Sequence, residues 1–246
     1  MKIRKTLRKL SAFVLVFVML LGIQGNKITA NANYSPVNMY YCDNVINWRG
    51  SLQFNVYVQI DAGSAANKQV FIHYNAGNEG WKDQNASYLT TIDGNKEIWV
   101  ANVSGLGISG EYAIKYIGDG NTYWDNNNGK NYTNDDILGV ANVEAIRAHY
   151  QTPNNYNIYA VVKNIGYAKK VTVRYTQDNW ASYKDVDLSY YLTPDGKDFE
   201  YWKCTLNLDE NKMDDFQYCI RYEVNGQTYW DNNFGRNYNK SFYRPL

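Results

Sequence analysis

The side chains best suited to chemistry in this sequence lie in a stretch that occurs twice. Residues 122–132 read TYWDNNNGKNY and residues 228–238 read TYWDNNFGRNY, so nine of eleven positions are identical. The stretch combines aromatic rings with Asn amides, which both donate and accept hydrogen bonds. This composition suits a sugar, because a pyranose ring stacks on an aromatic face while its hydroxyls bond to amides. The duplication also indicates an internal repeat.

Each copy follows a strand-like run and a tight-turn dipeptide, Asp119-Gly120 in the first copy and Asn225-Gly226 in the second. These dipeptides favour two-residue hairpin turns, because both central residues need a positive φ. The TYWD segment is therefore predicted to be the return strand of a hairpin. Side chains alternate along a strand, so the Tyr and the Trp of each copy are expected to point to opposite faces. The polar DNNxGxNY segment is predicted to be a loop.

The first 32 residues have the composition of a secretory signal peptide. A basic region precedes an apolar run at residues 12–23, and an A-x-A cleavage pattern ends at Ala32. The apolar run is too short to span a bilayer. We therefore expect a secreted protein without a membrane span, whose mature chain begins at Asn33.

Charge excludes one class of partner. Six of the 25 Lys and Arg residues and none of the 24 Asp and Glu residues lie in residues 1–32, so the remaining chain carries a formal net charge of −5. Phosphate contacts need clusters of basic residues. Nucleic acid is therefore not the expected partner, whereas a neutral ligand is compatible with this charge.

The remaining chain is predicted to form two domains, at residues 33–135 and 140–246. In both halves, short runs rich in Val, Ile, Tyr and Phe alternate with Gly, Asn and Asp, and neither half has a helical period. This pattern predicts an all-β protein with two tandem β-sandwich domains. Each half has the size of an ordinary domain.

Superposing the two halves pairs six tryptophans, namely Trp81 with Trp180, Trp99 with Trp202 and Trp124 with Trp230. The middle pair lies within strand-like runs and is predicted to fill the core between sheets. Trp81 and Trp180 lie in polar, loop-like segments and are predicted to contact ligand. Trp48 has no counterpart in the second half and is predicted to close one end of a sandwich.

The cysteines do not form a disulfide framework, because the chain has three of them. Cys204 and Cys219 flank a predicted hairpin. They either pair with each other or remain buried free thiols, and Cys42 has no partner in the chain if they do pair.

The second half resembles a known family through an ordered series of segments at residues 163–171, 173–175, 178–180, 199–202, 220–226 and 229–238. The series is similar to family 21 of the carbohydrate-binding modules, which includes the starch-binding domain of some fungal glucoamylases and the glycogen-targeting domain of protein phosphatase 1 regulatory subunits. The resemblance covers essentially the whole second half and is weaker in the first. It implies an immunoglobulin-like β-sandwich that binds α-1,4-glucans, performs no catalysis and needs no cofactor or metal.

The family's principal site maps onto both halves. The resemblance places it at Trp180, Trp230, Asn232 and Asn237 in the second half, and at Trp81, Trp124, Asn126 and Asn131 in the first. One further aromatic position of the family's site falls at Cys219 and at Ala113, so part of the aromatic platform is missing.

The family's second site maps onto the second half alone. It falls at Tyr167 and Tyr190, with Lys169, Asn164 and Glu200 as polar neighbours. In the first half the position of Tyr167 aligns with Ala66. The second site is therefore expected to be absent there.

The resulting prediction is a secreted, non-catalytic protein that binds starch, glycogen or malto-oligosaccharides, and that works beside separate amylolytic enzymes. One alternative is an adhesive or structural protein of the cell envelope with the same fold. Another is a polysaccharide-degrading enzyme that uses Asp125 and Asp231, although a glycosidase needs a second carboxylate at a fixed separation, and no matching acid accompanies either. The two histidines, His73 and His149, are interpreted as ordinary strand residues.

A phosphatase-targeting subunit is a further alternative within the family. Such a protein needs a short basic and apolar docking motif outside the module, and the sequence contains none. A signal peptide would also remove the chain from the cytoplasm.

Overall fold

The computed structural model describes residues 35–240, except residues 47–51, 78–79, 105, 107–109 and 153. The predicted signal peptide and Trp48 lie outside these described residues. The described part of the chain belongs to one compact unit and is almost entirely β-structure, with three short 3-10 helices at Ala62–Ser64, Asn127–Gly129 and Glu210–Lys212.

The first half of the described chain forms a sandwich of two antiparallel sheets. Its strands are β1 (Val37–Ile46), β2 (Leu52–Asp61), β3 (Lys68–Asn75), β4 (Trp81–Asn85), β5 (Ser87–Ile92), β6 (Lys96–Ser104), β7 (Glu111–Gly118), β8 (Asn121–Asp125) and β9 (Tyr132–Thr133). One sheet has the order β1-β2-β6-β5, and the other has the order β4-β3-β7-β8, with β9 also paired to β7.

The second half repeats this arrangement. Its strands are β10 (Val143–Thr152), β11 (Asn155–Lys163), β12 (Lys169–Thr176), β13 (Lys184–Asp187), β14 (Ser189–Leu192), β15 (Phe199–Asn207), β16 (Gln217–Val224), β17 (Gln227–Asp231) and β18 (Tyr238–Asn239). The sheet orders are β10-β11-β15-β14 and β13-β12-β16-β17, with β18 also paired to β16. Matching orders in the two halves confirm the predicted all-β class and its two sandwich units.

Each sandwich has its own apolar core between its sheets. Burial follows the strand period of two residues. Along β2, for example, Phe54, Val56, Val58 and Ile60 are fully buried and alternate with less buried neighbours. In the second sandwich β16 contributes the buried rings of Tyr218 and Tyr222. This alternation is the physical origin of the β-pattern in the sequence.

The predicted hairpins are confirmed. Strands β7 and β8 are joined by Asp119 and Gly120 at φ of 48° and 84°, and β16 and β17 by Asn225 and Gly226 at φ of 52° and 73°. Positive φ at both central residues is the geometry that matches the twist of the flanking strands. These two turns start the strands that carry the duplicated stretch.

The segment between the sandwiches is bonded to β1 of the first sandwich. Gly139 donates its backbone N–H to the carbonyl of Tyr40 at 3.0 Å, and Val140 donates to that of Met39 at 2.8 Å. Cys42 in turn donates to the carbonyl of Ile137 at 2.8 Å. These bonds restrict the connection far more than its short length alone would.

None of the three cysteines of the described chain forms a disulfide. Cys42 and Cys219 are buried and Cys204 is half-buried. Burial raises the pKa of Cys204 and of Cys219 to about 12, so both remain protonated at neutral pH. The structure thus selects the free-thiol alternative over the disulfide.

Candidate functional site

The duplicated stretch presents one aromatic residue to solvent in each sandwich. Trp124 and Trp230 are 44% and 42% exposed. Their neighbours Tyr123 and Tyr229 instead pack against the two apolar cores. The predicted alternation is therefore confirmed, and in both copies the tryptophan is the residue available to a ligand.

Asn residues shape the loop that follows each tryptophan. In the first copy the Oδ1 atom of Asn126 accepts the N–H of Gly129 at 3.0 Å, and the Nδ2 atom of Asn127 donates to the carbonyl of Asn131 at 3.0 Å. Asn127, Asn128 and Asn131 all have a positive φ, a conformation that Asn adopts more readily than most residues. The Asn-rich composition thus serves the backbone of the loop as well as its surface.

The second copy folds in the same way. The Oδ1 atom of Asn232 accepts the N–H of Gly235 at 2.9 Å, and the Nδ2 atom of Asn233 donates to the carbonyl of Asn237 at 3.2 Å. Since Asn126 and Asn232 use only their oxygens in this way, their exposed amide N–H groups point to a role outside the loop.

The aspartate of each copy anchors its loop to the sandwich. Asp125 accepts the hydroxyl of Tyr132 at 2.8 Å and the backbone N–H of Met39 at 2.7 Å. Asp231, which is buried, accepts the hydroxyl of Tyr238 at 2.7 Å and the N–H of Ala145 at 2.6 Å. Both carboxylates are therefore occupied by structural hydrogen bonds, as expected for an Asp that opens a turn.

The first sandwich brings all four of its predicted site residues together. Trp81, Trp124, Asn126 and Asn131 line one open cleft of about 350 Å³, together with His73 and Ala113. Trp81 is 42% exposed. The Nδ2 atom of Asn131 donates to Glu111 at 2.8 Å, which fixes the edge of the cleft.

His73 is a site residue that the sequence analysis missed. Its ring stacks on Trp81 with centroids 4.8 Å apart and planes 9° apart, and it meets Trp124 edge-on at 5.3 Å. The Nδ1 atom of His73 lies 2.6 Å from Asp83, which also accepts Lys115 at 2.8 Å. Burial alone would raise the pKa of Asp83, but the hydrogen bonds from Lys115 and His73 outweigh it, and the pKa is lowered.

In the second sandwich, Arg174 takes the place that His73 has in the first, between an aromatic residue and the exposed tryptophan. The guanidinium of Arg174 lies 4.0 Å from the ring centroid of Tyr183 and 5.4 Å from that of Trp230. Asp185 accepts two parallel N–H groups from Arg174, at 2.8 and 2.9 Å. These bonds lower the pKa of Asp185 and raise that of Arg174, so the pair stays charged. Arg221 lies at 3.5 Å from the same carboxylate.

Strand register shows which aromatic residues correspond. Asp83 and Asp185 hold the same position in their hairpins. The aromatic residue two positions before them is Trp81 in the first sandwich and Tyr183 in the second. Trp81 therefore corresponds to Tyr183, and the expected pairing with Trp180 is wrong. Trp180 lies three residues before Tyr183, in a loop that is one residue longer than its counterpart.

Register also gives the signal that would have identified His73 and Arg174. His73 lies opposite Ala113, and Arg174 lies opposite Cys219. Ala113 and Cys219 are the positions at which the family's aromatic residue is missing. Opposite residues on neighbouring strands share one face, so the imidazole and the guanidinium stand beside the space that the missing aromatic ring leaves.

Trp180 lies in a loop of the second sandwich that is one residue longer than its counterpart in the first sandwich. It adopts φ of 69°, and its backbone N–H donates to the hydroxyl of Thr176 at 3.0 Å. Its indole N–H donates to Gln217 at 2.9 Å, and Asn237 donates to the same oxygen at 3.4 Å. Gln217 thus joins two of the predicted site residues and is itself a residue that the sequence analysis missed.

The other two predicted residues of this site are placed together in a different cleft. Trp230 and Asn232 line a cleft of about 340 Å³. Trp180 and Asn237 are not among the described residues that line it. The four residues that the resemblance assigns to the principal site of the second sandwich are therefore not brought together in one cleft.

The second predicted site takes residues from both sheets of the second sandwich, with Lys169 on β12 and with Tyr190 and Glu200 on β14 and β15. Tyr167 is fully exposed and Tyr190 is 54% exposed. The ammonium of Lys169 donates to Asn164 at 2.6 Å and to Glu200 at 2.8 Å. All five predicted residues of this site are therefore polar or aromatic groups at the surface or directly below it.

The first sandwich retains most of this second arrangement. Lys68 donates to Glu97 at 2.6 Å, and the indole of Trp99 donates to the other oxygen of Glu97 at 3.0 Å. Tyr88, 53% exposed, meets Trp99 edge-on at 6.0 Å. At the position of Tyr167, however, the first sandwich has Ala66, as the sequence analysis noted.

The same contacts correct the role of the middle tryptophan pair. Trp202 meets Tyr190 edge-on at 6.1 Å and donates its indole N–H to Glu200 at 3.0 Å. Trp99 and Trp202 are half-buried and pack against the edges of the two cores. They therefore support an exposed tyrosine from below rather than fill the centre of the core.

Fold and site together define a β-sandwich protein with exposed aromatic residues beside loop amides, which is the class of carbohydrate-binding modules. The family model of the carbohydrate/starch-binding module (family 21) matches residues 144–241. This match covers the second sandwich from β10 to β18. The described residues contain no helix with the length and hydropathy of a membrane span.

Curated relatives resemble about a third of the chain. Protein phosphatase 1 regulatory subunit 3C of Bos taurus is 38% identical over 80 residues, 31% of this chain and 25% of the relative. Glucoamylase 1 of Rhizopus oryzae is 40% identical over 87 residues, 34% of this chain and 14% of the relative. The chain thus spans a quarter or less of these two relatives.

Two solved structures are also similar. The starch-binding domain of Rhizopus oryzae glucoamylase, in complex with β-cyclodextrin and maltoheptaose, is 30% identical, with 40% of this chain and 92% of that chain covered and a TM-score of 0.34. The carbohydrate-binding module of the muscle glycogen-targeting subunit of protein phosphatase 1 is 26% identical, with 40% and 74% covered and a TM-score of 0.35.

Proposed function

We propose that both sandwiches bind α-1,4-glucans and that the protein is a secreted, non-catalytic glucan-binding protein. The observation that carries the proposal for the first sandwich is its cleft, where Trp81, Trp124, Asn126 and Asn131 come together. For the second sandwich it is the family match together with the exposed Trp230. The ligand would be starch, glycogen or a malto-oligosaccharide.

Stacking supplies the affinity in this proposal. Burying apolar area is worth about 25 cal/mol per Å², so two tryptophans contribute a few kcal/mol in total. That corresponds to a site in the micromolar to millimolar range. Two such sites on one chain gain through avidity when one polysaccharide spans both. The protein would then hold α-glucan near cells or near separate amylolytic enzymes.

The state of the carboxylates supports binding without catalysis. A glycosidase needs one carboxylic acid and a second carboxylate that flank the scissile bond. Asp125 and Asp231 are instead occupied by tyrosine hydroxyls and backbone N–H groups. Without these bonds the loops would no longer be held to the sandwiches. The two aspartates are therefore poor candidates for a catalytic acid or base.

The likeness to phosphatase regulatory subunits supports the glucan ligand rather than a phosphatase partner. The shared region covers 31% of this chain and 25% of the Bos taurus relative. About three quarters of that relative has no counterpart in the alignment, and the sequence of this chain contains no docking motif of the phosphatase-targeting kind.

A pull-down on insoluble starch and on cellulose tests the proposal, with reducing sugar assayed in the same tubes. We expect retention on starch alone and no sugar release. In a background that carries Trp81→Ala, Trp124→Ala and Tyr167→Ala, which leaves the principal site of the second sandwich, the double variant Trp180→Ala, Trp230→Ala should abolish retention on starch, with an unchanged thermal unfolding midpoint. Tyr191→Ala is the matched control, because Tyr191 is 47% exposed and lies outside the predicted sites.

Each opposite result has a definite meaning. If the double variant in this background keeps its affinity for starch, the assignment of the principal site in the second sandwich is wrong. If the unmodified protein binds neither polysaccharide, the proposed function is wrong. Sugar release would restore the enzyme alternative, with Asp125 and Asp231 as the first residues to replace.

A further inference from the structure

The cleft beside Trp230 lies at the junction of the two sandwiches. Residues 91–93 and Tyr40 of the first sandwich line it, and so do Trp230, Asn232 and Phe234 of the second. We refer to this space as the junction cleft. Its volume of about 340 Å³ is close to that of the site in the first sandwich.

Phe234 holds the two walls together. Its ring lies 5.6 Å from Tyr40, 5.6 Å from Tyr41 and 5.4 Å from Tyr57, measured between centroids. Aromatic pairs at these separations attract each other beyond the area that they bury. The loop that carries Asn232 is therefore fixed against the first sandwich, and the junction cleft is a built feature of the tandem.

The polar groups of the junction cleft are available to a ligand. Asp93 is exposed, and its carboxylate makes no hydrogen bond or ion pair with the described part of the chain. Asn232 accepts the N–H of Gly235, but its amide N–H groups donate to no described residue. A carboxylate acceptor and an amide donor on opposite walls suit the vicinal hydroxyls of a sugar.

A pair of hydrogen-bonded hydroxyl groups, from Thr91 and Tyr88, connects the junction cleft to an exposed aromatic ring. Thr91, which lines it, lies 2.9 Å from the hydroxyl of Tyr88, measured between oxygens. Tyr88 is the exposed tyrosine of the first sandwich that Trp99 supports from below. A chain leaving Trp230 past Asp93 therefore meets a second exposed aromatic ring.

We propose that the junction cleft is an additional α-glucan subsite, built from both sandwiches, that extends the Trp230 site of the second sandwich along the 91–93 turn of the first. This inference rests on the proposed function. It assigns Asp93 as a ligand-contacting residue that neither module would possess alone. It also makes the second sandwich selective for longer chains, because only these reach from Trp230 to the turn.

The chain contains a matched control turn. Asp195-Gly196 in the second sandwich corresponds to Asp93-Gly94 in the first, since each follows the equivalent strand and precedes the next one by a similar distance. Gly94 and Gly196 have φ of 76° and 72°. Asp195 is also exposed, but it does not line the junction cleft.

The test is calorimetric titration with maltotriose and maltoheptaose. The background is the tandem protein carrying Trp81→Ala, Trp124→Ala and Tyr167→Ala, which leaves the Trp230 site. Asp93→Ala should weaken maltoheptaose binding by about 3- to 10-fold, the effect of losing one or two hydrogen bonds, and should change maltotriose binding by less than about 2-fold. Asp195→Ala should leave both unchanged.

Two results would overturn the inference in different ways. If the background protein binds maltoheptaose equally well with and without Asp93→Ala, the junction cleft is not a subsite, and the proposed function stands. If neither sugar binds to the unmodified tandem protein, the proposed function fails and the subsite with it. Partial recovery by Asp93→Asn, which keeps an acceptor oxygen, would support direct contact with the sugar.

Discussion

The two copies of the duplicated stretch have the same backbone and different surroundings. Asn128 in the first copy and Phe234 in the second adopt nearly the same left-handed conformation, with φ of 58° and 55°. Asn128 is exposed, whereas Phe234 packs among three tyrosines of the first sandwich. The same loop backbone thus ends in an exposed amide in one sandwich and, where Phe replaces Asn, in a ring that contacts the other sandwich.

A second difference separates the two sites themselves. The side chain that contacts both aromatic rings is the imidazole of His73 in the first sandwich and the guanidinium of Arg174 in the second. An aspartate at the same strand position bonds to each. Arg174 carries its charge at every physiological pH and stacks on flat rings. The two sites thus keep one architecture while they differ in the side chain that contacts the exposed tryptophan.

The largest expected difference concerns the anchoring aspartates. Asp231→Ala should lower the free energy of unfolding by about 3 kcal/mol, because it leaves the buried hydroxyl of Tyr238 and the N–H of Ala145 without their acceptor. Asp125→Ala should cost about 2 kcal/mol, since Asp125 is only half-buried. Urea denaturation of both variants measures the difference.

Asp135→Ala is the control for this pair. Asp135 is exposed, so its replacement should stay within about 0.5 kcal/mol of the unmodified protein. Equal, small effects at Asp125 and Asp231 would contradict the anchoring role. The aspartates would then again be available for a role in chemistry.

The next prediction exchanges the residues at the tips of the loops. Phe234→Asn removes three ring contacts but relieves a left-handed conformation that costs a bulky residue about 1 kcal/mol. The net loss of stability should therefore be about 1–2 kcal/mol, and the sandwiches should become free to move relative to each other. Small-angle scattering measures this as a larger and broader distribution of interatomic distances.

Asn128→Phe is the reciprocal variant. It introduces the same backbone cost of about 1 kcal/mol at an exposed position without ring partners, and it should leave the scattering profile unchanged. If Phe234→Asn also leaves the profile unchanged, the tyrosine cluster is not what fixes the junction.

Local features of this molecule were predictable from the sequence, and features that depend on strand register or on distant packing were not. Asp-Gly and Asn-Gly fix their hairpins locally, so the opposite orientations of Tyr123 and Trp124 followed from alternation alone. The correspondence of Trp81 with Tyr183 depends on a loop that is one residue longer in the second half. The position of His73 depends on its partner across a strand, and the docking of Phe234 depends on residues almost 200 positions away.

The smallest expected effect concerns the second predicted site, most of which the first sandwich retains. Ala66→Tyr in the first sandwich would supply the exposed ring that Tyr167 provides in the second, above a Lys68–Glu97 pair that is already in place. One more stacked ring should raise the affinity for long glucans by about 2- to 5-fold, measured by titration with soluble starch. Ala66 is exposed, so the change should not disturb the fold.

The control combines Ala66→Tyr with Tyr88→Ala. If the new ring acts with Tyr88 as Tyr167 is proposed to act with Tyr190, the combination should lose the gain. A gain that persists without Tyr88 would mean that the new tyrosine binds on its own. If Ala66→Tyr gives no gain while Tyr167→Ala gives a clear loss, the two sandwiches differ at this place by more than one side chain. The contact of Lys169 with Asn164 is then also required.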